Sequence, residues 1–132
     1  ITNRGVLIGS SDSIETIKDL PDDVPVFTPN NGDATTTKSE GSMMFYYSTN
    51  EIKKVVQDFF LQGMNANQWT LESTSESTTQ GDTSYEYTMY MFTKNERYVM
   101  IDIVAQEENL TYIQIIIPDI TSSVQGVAPA AQ

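Results

Sequence analysis

Apolar side chains recur at the spacing of an α-helix between about residues 50 and 66. They fall at steps of three and four positions and form one continuous stripe, made of Ile52, Val55, Val56, Phe59, Phe60 and Met64. The polar side chains between them are Lys53, Lys54, Gln57, Asp58 and Gln62. This pattern predicts an amphipathic helix over 50–66, capped by Ser48 or Thr49 and ending with Asn67 in the left-handed conformation. Trp69 is expected to fill the corner between this helix and the next strand.

Beyond Trp69 the pattern changes to the alternation of β-strands, first over 69–74 and then over 84–93, 98–106 and 110–117. Gln80–Asp82 is a predicted turn. A two-residue turn at Asn95-Glu96 would place Phe92 opposite Val99, and a three-residue loop over 107–109, with Asn109 left-handed, would place Ile103 opposite Ile113. The same registers pair Tyr90 with Ile101 and Ile101 with Ile115. The registers of the two hairpins agree on one aliphatic face for the helix to cover: Val99, Ile101, Ile103, Ile113, Ile115 and Ile117.

The opposite side of this sheet, which we call the second face, is unusually apolar. It carries Tyr87, Met89, Met91, Met100, Asp102, Val104, Tyr112, Gln114 and Ile116. A sheet with a helix on one side normally turns a polar face to water. We therefore expect the second face to be covered, either by the N-terminal 42 residues or by another molecule, and we interpret it as an interaction face.

The chain before residue 43 is predicted to be a lead-in strap with a hairpin arm. Arg4–Gly9 could form a short strand, and the three prolines between 21 and 29 favour an extended segment anchored by Val24, Val26 and Phe27. Segments 35–39 and 42–48 could pair around Glu40-Gly41. Residues 43–118 then form the α+β domain, with one helix on an antiparallel sheet of four to six strands. Residues 119–132 are predicted to be a flexible tail or linker.

Composition removes several kinds of chemistry. The 132 residues include no cysteine and no histidine, which argues against disulfides, thiol nucleophiles, Cys/His zinc sites and triads that need an imidazole. The formal net charge of -11 argues against nucleic acid as a partner. Phosphate-loop and nucleophile-elbow motifs are missing from the sequence, so we expect no cofactor and favour a protein that is not an enzyme.

Carboxylates are plentiful, and two groups of them could carry chemistry. Asp22, Asp23 and Asp33 lie near predicted turns, but without the spacing of a calcium loop, and we interpret them as solvated loop acids. Asp102 lies between two isoleucines in the middle of a strand. If buried, it would need a partner or a raised pKa. We favour the alternative that Asp102 lies on an open part of the sheet.

The order of several short motifs resembles a known family. Leu20-Pro21-Asp22-Asp23-Val24-Pro25 is followed by Phe45–Thr49, by the helix, by Asn67–Leu71 with its tryptophan, and by the strands. Over about residues 19–118 this is similar to small α+β domains of bacterial and archaeal envelope lipoproteins, although Gln68 stands where those have glycine. The resemblance implies an extracytoplasmic location, cell envelope or secreted, with membrane anchoring outside this chain. It implies no catalytic residues.

Three functional hypotheses follow from these observations. The first is a non-enzymatic extracytoplasmic domain that binds a protein partner or itself through the second face. The second is a small-ligand carrier or carboxylate-dependent hydrolase, with a site between strap and sheet around Asp102, Tyr87 and Tyr112. The third is a structural subunit of a filament or surface layer. No stretch reaches the roughly 20 apolar residues of a transmembrane helix.

Overall fold

One helix packs against a six-stranded antiparallel sheet, as the α+β prediction requires. The computed structural model describes residues 13–79, 85–107 and 109–118. Its elements are β1 (Thr35–Ser39), β2 (Ser42–Thr49), α1 (Lys53–Ala66), β3 (Thr70–Thr79), β4 (Tyr85–Lys94), β5 (Arg97–Glu107) and β6 (Leu110–Ile117). The strand order is β1-β2-β6-β5-β4-β3. The predicted strand at Arg4–Gly9, the turn at Gln80–Asp82 and the tail over 119–132 lie outside the described residues.

Two tight turns set the registers of the local hairpins. Asn95 and Glu96 have φ values of 50° and 72°, and Glu40 and Gly41 have 51° and 88°. Positive φ at both central residues is the geometry that matches the right-handed twist of paired strands. Both two-residue turns predicted from the sequence are therefore confirmed.

The aliphatic face predicted for the helix is the core of the protein. Phe92 pairs with Val99 and Tyr90 with Ile101, and β6 continues the same register against β5. Five members of the face are buried, namely Val99, Ile101, Ile103, Ile113 and Ile115, and Ile117 packs against them. The β5–β6 connection includes residue 108, which lies outside the described residues, and its strands pair out to Glu107 and Leu110.

Strand β2 joins the sheet beside β6, a pairing that the sequence pattern does not predict. Phe45 lies opposite Ile115 and Tyr47 opposite Ile113, with both aromatic rings buried on the helix side. Because side chains alternate along a strand, Met44 and Tyr46 must then point to the second face. This pairing extends both faces of the sheet by one strand.

The predicted cap of the helix is wrong. The N-cap is Ile52, in extended conformation and without a side-chain hydrogen bond. Thr49 instead ends β2, where its hydroxyl donates to the Pro29 carbonyl at 2.6 Å and accepts from the Glu51 amide at 3.2 Å. The hydroxyl that was expected to cap the helix therefore holds the strap against the end of β2.

The helix ends differently from the prediction as well. Asn67 has φ -94°, and the left-handed residue is Gln68, with φ 76°. The Asn67 side chain donates to the Asp23 carbonyl at 3.0 Å. Asn67 thus bonds the strap, and the chain reverses one residue later.

The buried line of the helix is narrower than the predicted stripe. Val56, Phe60 and Met64 are fully buried, at intervals of four residues, whereas Ile52 and Val55 are 45% and 41% exposed. Gln57, predicted to lie on the solvent-exposed face of the helix, donates to the Tyr90 hydroxyl at 3.1 Å. The helix is therefore rotated relative to the predicted stripe, and one of its polar side chains faces the sheet. No helix in the described residues is both long and apolar enough to cross a membrane.

The strap, over its described residues 13–34, lies on the helix side of the sheet. Val24 and Phe27 are buried in the core, as predicted, and Val26 packs against it. The Phe27 ring meets the Phe59 ring edge-on at 5.1 Å. A Cβ on Gly63 would stand 3.1 Å from Pro25 Cγ, so the helix and the strap approach closely where the helix carries no side chain. The described strap therefore covers the helix and leaves the second face without a covering element from these residues.

Candidate functional site: the second face of the sheet

The strand registers arrange the second face as three rows that run across the sheet. One row is Met44, Ile116, Met100 and Met91; the next is Tyr46, Gln114, Asp102 and Met89; the third is Ser48, Tyr112, Val104 and Tyr87. Strand β3 adds Ser73, Ser75 and Ser77 at the edge. All nine residues predicted for the second face thus lie on one side of the sheet, distributed over the three rows.

The first row is an apolar strip, which we call the methionine row. Its four side chains come from four neighbouring strands, and Met44 at the β2 end is 38% exposed. The other three are half-buried by their neighbours in the sheet. Methionine is unbranched and polarisable, so a row of this kind can adapt its shape to an apolar partner surface.

The other two rows border a concave recess of about 550 Å³, which we call the tyrosine recess. This volume lies within the usual range of small-molecule sites. Its lining is dominated by tyrosine and amide side chains: Tyr46, Ser77, Tyr85, Tyr87, Asp102, Val104, Gln106, Tyr112 and Gln114. The second face is therefore divided between an apolar strip and a polar, aromatic depression, and the two share no residue.

Asp102 lies at the centre of the recess and is 8% exposed. Its Oδ1 has no hydrogen-bond partner among the described residues, and its Oδ2 is 3.5 Å from Gln114 Nε2. Burial raises the pKa of Asp102, and the hydroxyl of the neighbouring Tyr87 opposes that rise. The expectation that Asp102 sits on an open part of the sheet is wrong, because its side chain is buried.

Tyrosine rings line the recess beside this carboxyl group. Tyr46 and Tyr112 stack with ring centroids 5.6 Å apart and planes 10° from parallel. Burial raises the pKa of both Tyr46 and Tyr87, and the Asp102 charge adds to the rise at Tyr87. At neutral pH these two phenols are uncharged. Asp102 is the one formal charge among the described lining residues.

Carboxyl groups are scarce in the described lining of the recess. Glycoside hydrolysis, for example, needs two carboxyl groups on opposite sides of the scissile bond. The described lining contributes one. Within the described ranges, no three His, Cys, Asp or Glu side chains come together as a metal site.

Sequence patterns alone did not identify four lining residues: Tyr46, Ser77, Tyr85 and Gln106. Tyr85 and Gln106 lie within the predicted strands 84–93 and 98–106, and continuing the alternation of the second face to the ends of β4 and β5 would have indicated them. Tyr46 required the β2–β6 pairing, and Ser77 required the β3–β4 register. Those two contributions depend on how the strands assemble.

Asp23 is a structural acid, and its interpretation as a solvated loop residue is wrong. Its carboxylate accepts from Lys94 Nζ at 2.8 Å and from two Arg97 nitrogens at 2.7 and 3.0 Å. These contacts lower the pKa of Asp23 to about 2, with the Arg97 hydrogen bond as the largest cause. The Asp23 carbonyl also accepts from Trp69 Nε1 at 2.9 Å. Asp22 and Asp33 are exposed, as predicted.

The same cluster explains the tryptophan at the corner. The Trp69 ring is buried, as predicted, with the Arg97 guanidinium 4.8 Å and Lys94 Nζ 5.6 Å from its centroid. Cations over an aromatic face are attracted by the ring quadrupole. Lys94 and Arg97 flank the β4–β5 turn, so this cluster joins the strap, the end of the helix and that hairpin away from the recess.

Comparisons with known proteins found no match: no family model and no curated protein matches the chain. Its function therefore has to be inferred from the geometry of the second face.

Proposed function

We propose that this chain is a non-enzymatic, extracytoplasmic binding domain that assembles through the methionine row with a second copy of itself. The observation that carries the proposal is the alignment of Met44, Ile116, Met100 and Met91 on a side of the sheet that the described strap does not cover. Apolar strips of this kind on a soluble protein are typical of interaction sites.

The distribution of charge favours a second copy as the partner. The chain carries a formal charge of -11, which opposes contact between most pairs of surfaces on two copies. The three rows of the second face include one ionisable acid, Asp102, and it lies outside the methionine row. Two copies that meet through this row bring few like charges together, and a two-fold axis would pair the row with itself.

The size of the face predicts a weak association. Strands β2 and β6 have eight residues each, and the whole second face, with the serines of β3 at its edge, spans five strands. At about 4.8 Å between strands and about 3.3 Å per residue, the face measures roughly 20 by 26 Å, or about 500 Å² per copy. A total of about 1,000 Å² is at the lower limit for specific interfaces, so we expect a concentration-dependent dimer.

Sedimentation velocity over a range of protein concentrations tests the proposal. The average mass of the wild type should rise towards that of a dimer, whereas Met91→Asp and Met100→Asp should remain monomeric, because each places a charge in the apolar row. Val55→Asp is the matched control, since Val55 is exposed on the helix, on the other side of the sheet.

Two results would overturn self-association. One is a wild type that stays monomeric up to about 1 mM, where even a contact worth about 4 kcal/mol would be half-populated. The other is a dimer that persists in both methionine variants, because association would then use another surface. The far-UV circular dichroism of each variant shows whether it has folded.

The extracytoplasmic location is a separate part of the proposal. Its support is the resemblance of the Leu20–Pro25 lead-in and the later motifs to envelope lipoprotein domains, together with an acidic chain containing 12 serines and 16 threonines. Cell fractionation of the full-length protein, with mass spectrometry of its mature N-terminus, tests this location. Recovery in the cytoplasm with an unprocessed N-terminus would contradict it.

A further inference from the structure

We propose that the tyrosine recess is a binding site for a small organic cation, a primary alkylammonium compound that donates to the Asp102 carboxylate and lays its alkyl chain on the tyrosine rings. No residue of the methionine row lines the recess, although a dimer contact over the whole second face would cover it.

The first argument is that Asp102 has a carboxylate oxygen without a hydrogen-bond donor among the described residues. Asp102 is more than nine-tenths buried, and its Oδ1 has no partner among the described residues. A buried ionised carboxylate without compensation is costly, and a protein commonly compensates with an arginine or lysine. The cationic side chains that form ion pairs in the described residues pair with Asp19, Asp23, Asp58 and Glu86. A ligand with an N–H donor and a positive charge would supply what Asp102 lacks.

The second argument comes from the walls of the recess. Tyr46, Tyr85, Tyr87 and Tyr112 line it together with neutral amide, hydroxyl and aliphatic groups. The faces of aromatic rings carry negative electrostatic potential, which attracts an ammonium group and the polarised methylene next to it. A carboxylate in a recess lined by phenol rings therefore selects cations over neutral molecules of equal size, and it repels anions.

The third argument is the form of the donor. A quaternary ammonium has no N–H to offer, whereas a primary ammonium offers three. The Tyr87 hydroxyl interacts with the Asp102 carboxyl group and therefore competes with an ammonium group for the same acceptor. Removing that hydroxyl while keeping the ring should therefore leave binding intact or strengthen it.

The test uses n-butylammonium chloride as the ligand and 1-butanol as its neutral match in size, with binding followed by shifts in the amide NMR spectrum. We expect butylammonium to perturb residues of the recess and to bind about tenfold or more tightly than 1-butanol, the ratio expected for one charge-assisted hydrogen bond. Asp102→Asn should lower butylammonium affinity by the same factor of about ten and leave 1-butanol binding unchanged. Tyr87→Phe should bind butylammonium at least as well as the wild type.

Asp33→Asn is the control for general electrostatics, because it removes one exposed charge outside the recess. It should leave butylammonium affinity unchanged. A second measurement is independent of the variants: butylammonium should move the titration midpoint of the Asp102 carboxyl carbon to lower pH, since a bound cation stabilises the ionised form.

The proposal is overturned if butylammonium binds no more tightly than 1-butanol, if Asp102→Asn binds it as well as the wild type, or if the carboxyl midpoint does not move. Wild-type protein that shows no perturbation in the recess at saturating butylammonium also overturns it. The titrations use a protein concentration at which sedimentation velocity shows a monomer, so failure here and failure of self-association are separable.

Discussion

At the scale of single residues, two acids show how context decides the role of a carboxylate. Asp23 is partly exposed yet bound by two cations, so its pKa falls to about 2. Asp102 is buried without a cation from the described residues, so its pKa rises. The first stabilises the fold when ionised, and the second destabilises it. Because of this difference, Asp23 is a stabilising ion-pair residue and Asp102 is a candidate ligand-binding residue.

Replacing Asp23 with asparagine should lower the free energy of unfolding by about 2 kcal/mol at pH 7, since a pKa shift of one unit corresponds to about 1.4 kcal/mol and part of the cluster is screened by water. Because the folded-state pKa is lowered, the stabilisation is fully present above the unfolded-state pKa of about 3.8 and is lost as the pH falls towards 2. Denaturant unfolding of the wild type and of Asp23→Asn at several pH values measures this difference in the free energy of unfolding.

Asp22→Asn is the matched control, because it removes the neighbouring charge from an exposed side chain. It should change stability by a few tenths of a kcal/mol at most. Equal effects of the two substitutions would mean that the ion pairs around Asp23 contribute nothing measurable.

At the scale of elements, the helix is stabilised by packing against the sheet and lacks a side-chain cap at its N-terminus. Val56, Phe60 and Met64 are buried, while the N-cap Ile52 offers the first turn no side-chain acceptor. The hydroxyl of Thr49, the expected cap, bonds the strap instead. Tertiary contacts have taken precedence over the local capping preference.

This unfilled cap predicts a simple stabilising substitution. Ile52→Asp should raise the free energy of unfolding by about 1 kcal/mol, because an aspartate there can accept a first-turn amide and favours the positive end of the helix dipole. Ile52 is nearly half-exposed, so little packing is lost. Thermal unfolding of Ile52→Asp beside Ile52→Ala, which offers no acceptor, measures the effect; equal melting temperatures would exclude a capping gain.

At the scale of the whole molecule, charge opposes the compact state. The chain has 18 acidic and 7 basic residues, and some of the basic residues form exposed ion pairs of small value. The remaining acids repel one another. Stability should therefore depend on how far the solvent screens them.

Raising sodium chloride from about 10 mM to about 150 mM shortens the screening length from about 30 Å to about 8 Å and should raise the melting temperature by roughly 3 °C. The rise should be larger in Asp23→Asn, which has lost the ion pairs that salt weakens. Calorimetry of both proteins in the same salt series provides the test. A wild type that loses stability with salt would mean that attractive pairs outweigh the net repulsion.

The sequence by itself determined the features of this fold that depend on neighbouring segments of the chain. The alternation of β4, β5 and β6, with the Asn95-Glu96 turn, was enough to predict strand registers and the face that the helix covers. It also predicted the second face, because a known register assigns every side chain to one side or the other. These features depend on residues close together in the chain, where turn geometry and alternation act directly.

Tertiary structure decided the rest. Only the pairing of β2 with β6 adds Met44 to the methionine row and Tyr46 to the recess. Only the placement of residues 13–34 on the helix side left the second face without cover from those residues, buried Phe27 and brought Asp23 to Arg97. Such contacts join residues tens of positions apart and depend on which surfaces remain available after the local hairpins form. The local periodicity of the sequence does not indicate which of these surfaces will pack together.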